Sequence, residues 1–124
     1  MQGELRELQG VWAVTSLELD GAPLGDAAFS AAKIAVKGNN FTSVGMGAIY
    51  RGTLEVDATK KPKSLSMRFT EGPETGNTNR GIYELEGDIW KLCLSMTGGP
   101  APTKFATSAG SGCALETLRR EKQP

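Results

Sequence analysis

The stretch from Arg80 to Met96, RGIYELEGDIWKLCLSM, constrains the fold of this chain more than any other. Side chains of a β-strand point alternately to opposite faces, and a glycine-containing dipeptide between two alternating runs makes a two-residue hairpin turn. With Gly87-Asp88 as that turn, Glu86 pairs with Ile89, Leu85 with Trp90, Tyr83 with Leu92 and Gly81 with Leu94. One face then carries no polar group except the tyrosine hydroxyl. The other sets Glu84 opposite Lys91, an opposite-charge pair worth about 0.2–1 kcal/mol. Pattern and turn agree on a half-buried antiparallel hairpin.

The rest of the chain follows the same rule. Between Lys63 and Phe69, Leu65, Met67 and Phe69 fall on one face and Ser64, Ser66 and Arg68 on the other. Val11–Asp20, Lys33–Gly38, Asn40–Gly45 and Ala48–Asp57 are short apolar or β-branched runs, each closed by glycine or aspartate. A Gly/Pro-rich stretch from Thr97 to Gly112 precedes a last strand, Cys113–Arg120. Leu5 and Leu8 support a short N-terminal helical turn, and Asp26–Ala32 reads as one short helix after the first strand, capped by Asp26. The 16 glycines and 6 prolines suit many tight turns rather than long helices. About eight strands in meander order predict an all-β, antiparallel, closed barrel, which leaves no open edge. The 124 residues suit a single domain over 1–124, without repeat or linker.

Composition excludes several functions. Lys plus Arg equals Asp plus Glu at 14 each, with no basic stripe, so no nucleic-acid partner is expected. Met1–Gly10 carries Glu4, Arg6 and Glu7 and lacks the apolar core of a secretory signal, and no run reaches the roughly 18 apolar residues of a membrane span. The expectation is a soluble chain, cytoplasmic by default, with no membrane partner. Histidine is absent, which removes the commonest general base and metal ligand, so no metal, cofactor or His-dependent triad is expected. Two cysteines, Cys93 and Cys113, are too few for a disulfide scaffold.

Leu8-Gln9-Gly10-Val11-Trp12 contains a G-x-W motif at the entry to the first strand, and Thr117-Leu118-Arg119-Arg120 closes the last. Together they resemble the lipocalin, or calycin, superfamily. That resemblance implies that Trp12 plugs one end of the barrel beneath an arginine of the last strand, Arg119 first and Arg120 as the alternative. A flat cation on a flat π-face there is worth about 0.5–2 kcal/mol. Over nearly its whole length the chain is similar to an uncharacterised bacterial family of short lipocalin-like domains. The likeness is carried by LQGVW, KIAVKGNNFT, KKPKSLSMRFTEGPETG, GIYELEGDIWKLC and PTKFAT. It implies the fold and brings no established activity. Compared with longer lipocalins the chain is short and has no helix after Arg120, so a shallower cavity is expected.

Candidate site residues come from the inward face. Tyr50, Met67, Phe69, Tyr83, Trp90, Leu92 and Leu94, with Leu54, either fill the barrel or line a pocket for a small apolar or amphipathic ligand. No catalytic residue is assigned. Ser30-Ala31-Ala32-Lys33 matches an S-x-x-K hydrolase pattern, but chance alone supplies about half such a match and no K-T-G follows. Gly110-Ser111-Gly112 enters a strand and reads as a turn, and the sequon at Asn40 has no meaning without a secretory route. Asp57, Glu71, Glu74, Glu84 and Asp88 fall in turns or on the outer face, as solvated charges. The alternation puts Cys93 outside and Cys113 inside with Leu115 and Arg119, so no disulfide is expected.

Three readings remain open, the first favoured. They are a small-molecule binding barrel, a histidine-independent hydrolase or acid–base enzyme, and a filled barrel that binds proteins. A void at Tyr50, Tyr83 and Trp90 marks the first, and a buried carboxylate of raised pKa beside it marks the second. An apolar outer patch around Ile82 and Cys93 marks the third. Oligomeric state is left open.

Overall fold

Alternating strands with one apolar face must close or be covered, and here they close. The computed structural model describes residues 3–45 and 47–121. A short helix, α1 (Gly3–Glu7), leads into β1 (Gly10–Leu19) and the two-residue β2 (Ala22–Pro23), followed by a 3-10 turn at Asp26–Ala28. Then come β3 (Lys33–Lys37), β4 (Asn40–Val44), β5 (Tyr50–Asp57), β6 (Lys63–Glu71), β7 (Thr78–Glu86), β8 (Ile89–Ser95) and β9 (Cys113–Arg120). From β3 to β9 each strand pairs antiparallel with the next, and β1 pairs with both β3 and β9. The result is an eight-stranded antiparallel barrel with β2 as an appendage of β1.

The expected hairpin forms in the expected register, from Glu86 opposite Ile89 to Gly81 opposite Leu94. Gly87 supplies its turn with φ +60°, a conformation open to glycine at little cost. Leu65, Met67 and Phe69 are buried as read, and Arg68 is exposed. Asp26–Ala32 departs from the reading: only Asp26–Ala28 coils, as a 3-10 turn that follows Gly25 and has no side-chain cap. This segment instead fills the wall where β1 leaves β3. Leu24 N–H donates to the Leu17 carbonyl, Val14 N–H to that of Ala32, and Phe29 and Ala32 pack on Leu17.

The barrel has two unlike ends. At one, α1 lies across the base with Leu5 and Leu8 buried beneath it. Gln9 pins it to the β3–β4 turn, donating from Nε2 to the Gly38 carbonyl (2.8 Å) and accepting from Gly38 N–H (2.7 Å). Trp12 is fully buried, donates from Nε1 to the Leu8 carbonyl (2.8 Å), and meets Trp90 edge to face at 5.3 Å. The cation over Trp12 is Arg120, at 4.3 Å, and not Arg119. Residues directly opposite across two strands share a face: Trp12 faces Arg120 whereas Ala13 faces Arg119, which is exposed. Arg120 also donates to the carbonyls of Gln9 and Glu7 and pairs with Asp88 at 3.0 Å.

The same one-residue correction moves Cys113 to the outer face. Cys93 lies opposite Leu115 and Ser95 opposite Cys113, so both thiols point outward, diagonally placed on neighbouring strands, and both are free. The Thr97–Gly112 connection crosses over Cys93 and leaves Cys113 partly exposed. Cys93 donates its S–H to the Ala106 carbonyl (3.6 Å), and Lys91 stands over the Phe105 ring. Ile82 and Cys93 are both buried, so the outer patch that would mark a protein-binding reading is not exposed at these two residues. Among the described residues no helix is long and apolar enough to cross a membrane, and the chain beyond Glu121 lies outside them.

Candidate functional site

Interior volume is spent unevenly along the barrel axis. The base holds Trp12, Trp90, Tyr83, Leu54, Leu65, Leu92 and Leu118, all buried. Toward the other end the inward positions include Ser43, Asn79 and Ala114, which leave space. A cavity of about 390 Å³ opens there. All eight barrel strands wall it, with Leu17 and Leu19 from β1, Ile34 from β3, Phe41 and Ser43 from β4, and Tyr50 from β5. Met67 and Phe69 from β6, Asn79 from β7, Leu94 from β8, and Ala114 and Glu116 from β9 complete the wall. Glu74 and Met96 stand on connections at the mouth. Phe69 organises the aromatic side, meeting Phe41 edge-on at 5.3 Å and Tyr50 at 6.0 Å.

The seven residues singled out from the sequence divide between these two halves. Tyr50, Met67, Phe69 and Leu94 line the cavity, whereas Tyr83, Trp90 and Leu92 fill the base. The Tyr83 hydroxyl and the Trp90 indole N–H are buried without hydrogen-bond partners among the described residues. Burial, with Glu4 close by, pushes the Tyr83 phenol above its ordinary range. The barrel is thus filled at one end and hollow at the other.

Sequence reasoning missed Glu116. It lies between Leu17 on β1 and Leu92 on β8, with its carboxyl turned into the cavity. Among the described residues no ion pair and no side-chain hydrogen bond reaches it. Burial pushes its pKa from the usual carboxylate range up to about 7. Asn79 is the second unforeseen group. It is 1% exposed, its Nδ2 donates to Met96 Sδ (3.5 Å), and its Oδ1 accepts no hydrogen bond from the described residues. Glu74, read from the sequence as a solvated turn residue, is half-buried at the mouth. Among the described residues the lining thus contains two carboxyl groups, an unpaired amide oxygen and two hydroxyls, and no lysine or arginine. The only signal in the sequence for Glu116 was its parity with Leu118 and Ala114, visible once β9 is registered on Arg120.

The fold is shared with a known structure. A DUF4847 family protein from Bacteroides vulgatus superposes with a TM-score of 0.55 over 94% of this chain and 95% of its own, at 16% identity. At that identity the likeness speaks for the barrel alone. No family model matches the chain, and no curated protein is similar to it.

Proposed function

We propose that this chain is a lipocalin-like binding domain, spanning residues 1–124, that holds a small amphipathic molecule in the open half of its barrel. One observation carries the reading: a cavity of about 390 Å³ with largely apolar walls and a buried Asn79 Oδ1 that no donor among the described residues satisfies. Buried polar atoms are nearly always paired, and a ligand donor supplies the missing partner. The indole–guanidinium closure at Trp12 and Arg120 supports the lipocalin comparison. A neutral naphthylamine dye, N-phenyl-1-naphthylamine, tests the proposal. It should bind the protein at 1:1, and Ala114→Phe, which pushes a ring into the open end of the cavity from β9, should weaken it at least tenfold in a protein that still melts cooperatively. Equal binding by the two proteins would refute the reading.

Glu116 favours a second reading. A carboxyl that titrates near neutrality beside a void can give or take a proton at physiological pH. On this reading the barrel performs acid–base or hydrolytic chemistry on its guest. Turnover of nitrophenyl esters or glycosides that is lost in Glu116→Gln would favour it over simple binding.

A further inference from the structure

We infer that the cavity selects a ligand with a cationic head, a protonated primary amine on an apolar body, and that this head docks between Glu116 and Asn79. The inference rests on the binding reading above and names the class of molecule. Each polar group of the lining can accept a hydrogen bond, and two of them are carboxyls. Asn79 Oδ1 is buried and has no donor among the described residues. Among the described residues no basic side chain lines the cavity, so none of them neutralises an anionic guest, whereas an ammonium supplies both the missing positive charge and the missing donors. The rest of the guest meets Phe41, Phe69 and Met67, whose edges and thioether suit an aliphatic or aromatic body. A carboxylate ligand would instead place a third acidic group beside two that repel it.

Proton linkage gives the inference a second signature. The neighbours of Glu116 across the sheet, Leu17 and Leu92, are apolar, and among the described residues Glu74 at the mouth is the only other charged group of the lining. A carboxyl so placed holds its proton up to about pH 7. An ammonium, itself protonated below about pH 9, favours the ionised carboxylate, so binding expels a proton under acidic conditions. Affinity for an amine therefore rises with pH up to about 7 and then levels, while a neutral analogue shows no such slope.

The experiment measures displacement of N-phenyl-1-naphthylamine by three matched compounds, 4-phenylbutylamine, 4-phenylbutanol and 4-phenylbutyrate, between pH 5.5 and 8. The expected order is amine over alcohol by at least tenfold at pH 7.5, with the carboxylate weakest. In Glu116→Gln the amine-to-alcohol ratio falls to near one, and the pH slope of the amine disappears. The slope in the unmodified protein is read independently of any variant. If the dye and the alcohol bind and the amine has no advantage, the cationic-head inference is overturned and the binding proposal stands. Should no compound and no dye bind, the binding proposal fails and this inference falls with it.

Discussion

Glu116 is a single side chain with consequences for the stability of the whole barrel. Its pKa is raised by burial from 4.5 to about 7, so between those values the folded protein holds a proton that the unfolded chain has released. Stability from this group is therefore complete below about pH 4.5 and declines as pH rises, until the loss is full near pH 7. The loss is at most about 3 kcal/mol, and smaller where water in the cavity reaches the carboxylate. Urea denaturation at pH 5 and at pH 8 should show this decline in the unmodified protein and a flatter response in Glu116→Gln. Equal responses would mean that the carboxyl is solvated. Arginine offers a sharper contrast. Arg120→Ala removes the cation over Trp12 and the donors to two carbonyls, and should cost about 2–4 kcal/mol. Arg119→Ala, on the exposed face, should stay within about 0.5 kcal/mol. Thermal melts of the two variants decide the assignment.

At the level of the element, packing explains what the sequence could and could not disclose. The β7–β8 hairpin was legible because two local signals, a glycine turn and strict alternation, point to the same register. The last strand was not. Cys113, Leu115, Thr117 and Arg119 look as inward as Ala114, Glu116, Leu118 and Arg120, since each set mixes apolar and polar residues. What decides between them is tertiary: the Thr97–Gly112 connection buries the outer side of β8, giving Cys93 a core-like environment on the wrong face of the wall. That misreading hid Glu116, swapped the arginines and misplaced one thiol. The thiols provide the check. Burial makes Cys93 a weaker acid than usual and shields it, whereas Cys113 is partly exposed. Under native conditions an aromatic disulfide reagent should titrate one sulfhydryl quickly and the second only on unfolding. Another constraint sits in β5, where the pairing with β6 shifts register between Arg51 and Gly52. A Cβ at Gly52 would stand 1.9 Å from the Arg68 carbonyl oxygen and 2.8 Å from the Phe41 ring. Gly52→Ala should therefore destabilise the barrel by about 3 kcal/mol, the upper end of overpacking effects, measurable as a lowered denaturation midpoint.

Over the whole molecule, closure couples the beginning of the chain to its end. β1 meets β9 through seven residue pairs, from Trp12 opposite Arg120 to Leu19 opposite Ala114. Contacts so distant in sequence close slowly, and refolding should take milliseconds to seconds, as for other β-barrels dominated by non-local pairing. Stopped-flow fluorescence gives that rate directly, because the transition from solvent to the packed base moves both indoles at once. The same placement bears on how the binding proposal is tested. Trp12 and Trp90 are sealed in the base and neither borders the hollow half, so intrinsic emission is a faithful thermometer of unfolding and a poor witness of occupancy. A compound library screened by indole quenching alone would pass over any binder, whereas the Tyr50 ring, standing in the chamber wall, offers a reporter that a bound compound would touch.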